Sequence, residues 1–345
     1  MFQKKRNTFH GGVHPYEGKE LSKDKPIVKA QPGNLLYYAV SQHIGAPAVP
    51  TVQKGDHVKA GQKIAEAGGF VSAPIHSSVS GTVKGIEKRL TAVGAMGDAI
   101  IIENDGLYES VEYTPAKLSD LSKEDILKRI QEGGVVGQGG AGFPTHVKLS
   151  PKEPDKIDHI LVNGAECEPY ITSDYRRMME EPESVVGGLE VILKAFPKAV
   201  GCICIEDNKP DCIAKMKEAI KGKERMEVKE LKTKYPQGGE RTLIYAVTGR
   251  EINSSMLPAD AGCIVDNVDT VISIYNAVCE STPLIRKIIT VTGDAVKNPQ
   301  NFQVPLGMCY REILEAAGGF KEEPEKMISG GPMMGQALFL SLIHI

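Results

Sequence analysis

Residues 137–148 read Gly-Gln-Gly-Gly-Ala-Gly-Phe-Pro-Thr-His-Val-Lys, with four glycines in the first six positions. A backbone stripped of side chains approaches a ligand closely and reaches positive φ. Its successive N–H groups then form a nest for an anion. Lys148 adds a point charge of the sign a phosphate needs. The spacing Gly137-x-Gly139-x-x-Gly142 also meets the dinucleotide fingerprint, which requires a strand before it and a helix opening within it. Here a helical pattern over 125–132 precedes it, only Val135-Val136 could be strand, and Pro144 follows at once. The stretch reads as a loop for a nucleotide or flavin phosphate, set against a purely structural glycine-rich turn.

A second constellation follows a short apolar run. A buried strand over 158–162 delivers Asn163-Gly164-Ala165-Glu166-Cys167-Glu168-Pro169 at its carboxyl end, where ligands sit in open α/β sheets. Asn163 both donates and accepts, as an amide-like edge requires. Glu166 and Glu168 place two acids within three residues; the competing reading is a turn with solvated carboxylates. A second glycine-containing loop, 235–243, opens a helix. Residues 260–270 then enter a long helix to Val278, and its start, near Asn267, is another anion site.

The 345 residues imply two to four domains. A net charge of -3 and the absence of Trp argue against a nucleic-acid partner. The basic start, Met1-Phe2-Gln3-Lys4-Lys5-Arg6, lacks the apolar stretch of a signal peptide. No run of about 18 apolar residues predicts a membrane span, so a membrane would be reached only through a partner. The seven cysteines are odd in number and scattered, which reads as a reduced cytosolic setting. Cys202 and Cys204 fall on one face of an apolar strand and read as buried structural thiols. No metal site is expected: there is no C-x-x-C, and no Asp, Glu or Cys cluster joins His10 and His14, which read as loop residues.

The elements that must position these groups alternate in type. Residues 1–30 are polar and irregular. From 31 to 104 short strands are separated by turns such as Gly55-Asp56 and Ala60-Gly61. A linker over 105–120 precedes a helix over 122–132, capped by Ser122 with Asp125 three residues on. Helices over 183–196 and 210–221 alternate with strands over 200–205 and 226–231, a βαβ rhythm that predicts a mostly parallel sheet. Residues 284–335 read as a compact α+β unit: a strand over 284–293, a helix over 310–317, and a tight loop Gly330-Gly331-Pro332-Met333-Met334-Gly335.

Several stretches carry a resemblance. Residues 49–83, with Gly55-Asp56, Gly61-Gln62, Ala73-Pro74 and Ser80-Gly81, resemble the biotinyl/lipoyl-like barrel-sandwich fold. A carrier needs an exposed lysine on its hairpin; here that hairpin, 67–71, is Ala-Gly-Gly-Phe-Val, so the module reads as scaffold or docking surface, with His57 and His76 at its surface. Residues 137–148 resemble the flavin loop G-x-G-G-A-G-F-P-T-x-x-K of NADH-oxidising flavoprotein subunits of complex I and related enzymes. Residues 163–169 resemble that family's N-A-D-E-x-E-P. Residues 235–243 and 265–270 resemble its G-E-E-T and N-N-V-E-T motifs more loosely. With the barrel-sandwich module first, and with His10-Gly-Gly-Val-His-Pro and Gly330-Gly-Pro-Met-Met-Gly, the chain is similar over about residues 8–338 to the C subunits of Rnf-type electron transport complexes.

The resemblance implies an α/β multidomain fold. It comprises an N-terminal segment (1–30), a barrel-sandwich hybrid module (31–104), a Rossmann-like α/β FMN/NADH domain (120–282), a β-grasp (SLBB-type) domain (284–335) and an off-pattern tail (336–345). It implies FMN and NAD(H) as cofactors. Gly137, Gly139, Gly140, Gly142, Phe143, Lys148, Asn163, Glu166, Glu240 and Asn267 would bind cofactor, with Lys148 at the FMN phosphate. Glu166 and Glu168 would serve catalysis, Glu168 near the nicotinamide. It also implies partner subunits of a membrane complex, ferredoxin reached indirectly, and a peripheral place on the cytoplasmic face of the inner membrane. The family continues into two C-x-x-C-x-x-C-x-x-x-C-P motifs for [4Fe–4S] clusters; this chain reaches Ile345 without them and reads as a fragment with a foreign tail over 339–345. The family's Asp falls on Ala165 and its second Glu on Arg241. A flavoprotein subunit of a soluble dehydrogenase or hydrogenase, and a scaffold with a decayed flavin domain, are the alternatives.

Overall fold

The computed structural model describes residues 7–91 and 94–338, so the basic start and the 339–345 tail lie outside the described residues. The first layer of structure is β. After β1 (Val28–Lys29), β2 (Leu35–Ala39), β3 (Val49–Pro50), β4 (His57–Val58), β5 (Lys63–Glu66), β6 (Ile75–His76), β7 (Gly81–Leu90) and β8 (Met96–Asn104) build two facing sheets. One has the order β2-β8-β7-β4 and the other β3-β5-β6. Alternation places Leu36, Tyr38, Val58, Ile64, Val83, Ile100 and Ile102 in a shared core. The hairpin that would carry a lysine in a carrier instead packs on the central domain. There Phe70 meets His146 edge to face, with ring centroids 6.3 Å apart.

The central domain opens with α1 (Lys123–Glu132), where the Ser122–Asp125 capping box satisfies the first-turn amides. Pro144 leads into the one-turn α2 (Thr145–Lys148). Then follow β9 (His159–Gly164), α3 (Ser173–Glu180), α4 (Pro182–Ala195), β10 (Val200–Glu206), α5 (Pro210–Ala219), β11 (Met226–Leu231), α6 (Glu240–Thr248), β12 (Cys263–Asn267) and α7 (Val268–Val278). The four strands are parallel in the order β11-β10-β9-β12. The pleat sorts the side chains. Ile203 and Ile205 of β10 face the large core under α1, α3, α4, α5 and α7, while Cys202 and Cys204 face the smaller core under α6. Both thiols are fully buried, as their spacing predicted.

The last unit contains β13 (Arg286–Val291), β14 (Gln300–Pro305), α8 (Tyr310–Ala316) and the hairpin β15 (Met327–Ser329) and β16 (Gln336–Leu338). Its sheet has the order β1-β14-β13, so a strand from the start of the chain completes it. A buried polar hub joins this unit to the central domain. Thr172 Oγ1 lies 2.7 Å from Ser22 Oγ and accepts from the Asn301 amide at 2.8 Å, and Thr290 Oγ1 donates to Asn301 at 2.7 Å.

Three expectations need correction. Residues 263–267, read only as the approach to a helix, form the edge strand β12 of the sheet; the single charge in Cys-Ile-Val-Asp-Asn masked a short buried strand. Residues 173–180 form α3, a helix that the residue pattern did not announce. His76 is not at the surface: it is 6% exposed against Gly134 and Pro74, at the seam between the barrel-sandwich module and the central domain. His57 is exposed, as expected.

Burial, helped by the Lys63 charge, pushes His76 down to about 4. The unfolded chain therefore binds a proton that the folded chain refuses between about 4 and the ordinary histidine value of 6.5. Stability from this group is complete above 6.5 and is lost as pH falls through that window. His76→Gln should flatten the fall in stability between pH 6.5 and 4 by an amount on the order of 3 kcal/mol. Parallel pH profiles of the two proteins, measured by urea denaturation, would exclude the role.

Candidate functional site

The sheet order reverses at β9, so β9 and β12 lie side by side and their carboxyl ends open together. The register puts Asn163 opposite Asn267 at that opening. The Asn163 amide donates to the Gly238 carbonyl at 2.8 Å, and its oxygen accepts from the Ala165 N–H at 3.3 Å. Asn267 caps α7 by accepting from the Asp269 N–H at 2.9 Å, and its amide donates to Asp174 at 2.6 Å. The glycine loop lies against this cap: a Cβ on Gly139 would stand only 3.2 Å from Asn267 Cβ. The loop is closed by the Gly137 N–H to the Phe143 carbonyl at 2.8 Å. It is tied to α7 by the Gln138 N–H to Thr270 Oγ1 at 2.9 Å. Gly140 sits at φ +129 with open space beside it.

Lys148, at the end of α2, points back to β12. Its ammonium donates to the Val265 carbonyl at 2.7 Å and lies 3.3 Å from Asp266 and 3.9 Å from Glu240. Burial opposes its charge, but Asp266 and Glu240 outweigh it and hold Lys148 above the ordinary lysine value. Burial raises Asp266 and Glu240 against the pull of Lys148.

The loop after β9 is irregular, and its carbonyls need partners. The Lys19 ammonium donates to three of them: Glu166 at 2.9 Å, Glu168 at 3.1 Å and Ile171 at 2.6 Å. The Lys209 ammonium donates to the Ala165 carbonyl at 2.7 Å and lies 3.5 Å from Glu206. Burial pushes Glu206 up to about 7 despite that lysine, and burial lowers Lys19. Glu166 takes the left-handed conformation, φ 51, and its carboxylate accepts from the Asp174 N–H at 2.7 Å at the start of α3. Burial first, and then the Glu166 and Asp269 charges, raise Asp174 to about 8. Glu168 Oε2 accepts from the Met333 N–H at 3.0 Å.

The structure thus brings Gly139, Lys148, Asn163, Glu240 and Asn267 around the ends of β9 and β12, with Gly137 and Gly140 in the same loop, while Gly142 lies against Gln42 and His43 of the barrel-sandwich module. Phe143 contributes its carbonyl to loop closure. Glu166 turns to cap α3, and Glu168 is engaged by the 330–335 loop. Sequence reasoning missed Lys19, Asp174, Lys209 and Asp266. Asp266 carried a signal, a lone charge closing an apolar strand. Lys19, in a polar turn far from the sheet in sequence, carried none.

Three buried carboxylate or amide oxygens have no hydrogen-bond partner among the described residues: Asp266 Oδ2, Glu168 Oε1 and Gln138 Oε1. Buried acceptors of this kind suit a ligand rich in hydroxyl and N–H donors. Gly139 and Gly238 leave the backbone bare where side chains would crowd Asn267 and Asn163. This donor and acceptor set fits FMN.

Comparison with known proteins places this arrangement. Residues 7–107 match the RnfC barrel-sandwich hybrid domain, 130–276 the Nuo51 FMN-binding domain and 288–337 the SLBB domain. That order defines a class of oxidoreductase subunit in which a barrel-sandwich module precedes a Nuo51-type domain. The chain is 47% identical over 332 residues to the C subunit of the proton-translocating ferredoxin:NAD(+) oxidoreductase complex of Clostridium ljungdahlii, covering 96% of this chain and 72% of that one. It is 43% identical to the corresponding subunit of the Na(+)-translocating complex of Acetobacterium woodii, covering 99% and 77%. It is 40% identical to the C subunit of the ion-translocating oxidoreductase complex of Pseudomonas aeruginosa, covering 96% of this chain but 43% of that one. The chain belongs to this family of C subunits of ion-translocating (Rnf) oxidoreductase complexes. The fold is also similar to a chain of an NAD+-reducing [NiFe]-hydrogenase, with TM-score 0.52 and 19% identity over 67% of this chain and 46% of that one.

Two departures from the motifs now have a place. Ala165 is fully buried in the apolar cluster under α6, with its carbonyl taken by Lys209. Arg241 is exposed and reaches the Ser254 carbonyl at 3.5 Å.

Lys19→Met leaves three part-buried carbonyls without their donor. It should destabilise the central domain by at least about 3 kcal/mol, read as a lower urea midpoint at unchanged slope. A midpoint equal to that of the unsubstituted chain would contradict the clasp.

Proposed function

We propose that this chain is the NADH-reacting flavoprotein subunit of a membrane-bound, ion-translocating complex that exchanges electrons between NAD(H) and ferredoxin. The observation that carries the reading is the pair of partnerless buried oxygens, Gln138 Oε1 and Asp266 Oδ2, at a glycine loop seated on the cap of α7. Family membership supplies the reaction class. When bound, FMN supplies acceptance of a hydride and release of electrons one at a time. Onward transfer would use [4Fe–4S] clusters and partner subunits outside this chain. No helix among the described residues is long and apolar enough to cross a membrane, and a peripheral place on the cytoplasmic face, reached through partner subunits, suits that role.

The chain's own residues divide the binding task by charge. A phosphate avoids Asp266 and Glu240, which already claim Lys148. It is better met by the bare backbone over 138–140 and the first amides of α7, where the helix dipole favours an anion. Hydroxyl donors suit the partnerless oxygen of Asp266, and Lys148 holds that carboxylate in place. Asn163 and Glu166 shape the adjoining edge, Gly142 and Phe143 complete the loop, and Glu168 lies toward the nicotinamide. The retained ring of Lys148, Asn163, Asp266 and Asn267 disfavours the decayed-scaffold alternative. The barrel-sandwich module disfavours the soluble-enzyme alternative.

The test is flavin binding to the purified chain, followed by flavin fluorescence. The unsubstituted chain should bind FMN more tightly than riboflavin. Lys148→Ala should weaken both by a similar factor, about tenfold, the loss of one charge-assisted contact. A loss confined to FMN would move Lys148 to the phosphate. Folded protein that takes up no FMN on reconstitution would overturn the function.

A further inference from the structure

The 330–335 loop, Gly-Gly-Pro-Met-Met-Gly, belongs to the C-terminal unit yet meets the central domain at one carboxylate. It joins β15 to β16 and is folded back by the Gly335 N–H to the Gly331 carbonyl at 2.6 Å. This fold presents the Met333 N–H to Glu168 Oε2 at 3.0 Å. Gly331 makes the approach possible, because a Cβ there would overlap the Glu168 carboxyl group. Glu168 is held from behind as well, its carbonyl accepting from Lys19 at 3.1 Å. One acceptor, Glu168 Oε1, stays buried without a partner among the described residues. A carboxylate fixed on one oxygen and unpartnered on the other has one acceptor left for a donor, such as a carboxamide N–H.

We infer that the 330–335 loop is a positioning element of the nicotinamide site, with the Met333 amide aiming the Glu168 carboxylate and Gly331 admitting it. The site is then composite: the central domain supplies the carboxylate and the C-terminal unit orients it. The inference rests on the reading of residues 163–168 as the NADH site.

Gly331→Ala is the informative substitution. Gly331 does not have positive φ, and the atoms a Cβ meets are the end of a flexible side chain. The fold is therefore kept while the carboxylate is displaced. With FMN-loaded protein, NADH and ferricyanide as acceptor, Gly331→Ala should lower kcat/KM for NADH about tenfold, the loss of one charge-assisted contact, mainly through KM. The same substitution in a Glu168→Ala background should change nothing further, because a residue acting through Glu168 has no effect once Glu168 is gone. Independently of NADH, hydrogen-exchange protection of the Met333 amide should fall in Glu168→Ala. Equal effects of Gly331→Ala in both backgrounds, or a Met333 amide equally unprotected with and without Glu168, overturn the inference. If the unsubstituted, FMN-loaded chain fails to react with NADH, the function falls and takes this inference with it. That outcome is distinct from one in which the unsubstituted chain and Gly331→Ala react equally well, which sinks the inference alone.

Discussion

Two buried ammonium groups hold the loop that follows β9, and the rest of the site depends on them. A chain leaving the carboxyl end of a buried strand without entering a helix exposes carbonyls to a dry interior. Lys19 answers three of these carbonyls and Lys209 a fourth. A lysine is suited to this task because its three donors radiate from one point. The burden is two desolvated charges, offset by Glu206 beside Lys209 and by Glu166 near Lys19. Held in this way, the loop turns Glu166 onto the start of α3 and Glu168 toward the C-terminal unit.

The same economy of polar contacts joins the modules. Lys287, on β13, reaches across to the Gln138 carbonyl in the glycine loop at 2.6 Å. Tyr38, fully buried in the barrel-sandwich core, meets Ser78, which donates to Leu306 at the end of β14 at 2.6 Å. The Ser22, Thr172, Thr290 and Asn301 hub fixes the N-terminal segment ahead of β1, the central domain and the C-terminal sheet at one point. The glycine loop is thereby fixed from three sides: α7 beneath it, Lys287 from the C-terminal unit, and the Ile44 N–H of the barrel-sandwich module to its Gly142 carbonyl at 3.1 Å. Buried polar junctions specify geometry more than they add stability, which suits a surface that must align separately folded units.

Much of this was legible in the residue pattern, because local rules and tertiary demands agree there. The Ser122–Asp125 capping box, the alternation of Ile and Cys through β10, and the glycine spacing of the 137–142 loop each follow from short-range sequence. What stayed hidden depends on partners distant in sequence. Lys19 lies about 150 residues from the carbonyls it serves. Asp174 acquires its raised affinity for a proton only where the fold buries it and brings the Glu166 and Asp269 charges beside it. His76 reads as polar surface in a strand and becomes interior only because α1 ends against it. β12 was missed because a five-residue strand ending in Asp-Asn resembles a helix lead-in until its neighbour β9 is placed beside it.

The proposed role requires these modules to assemble one flavin site open to NADH. Its most direct test is an anaerobic titration of the FMN-reconstituted chain with NADH, followed by the visible absorbance of the bound flavin. About one equivalent of NADH should bleach the flavin, a two-electron transfer to a bound acceptor. A flavin that stays oxidised under excess NADH, yet is bleached by dithionite, would contradict it.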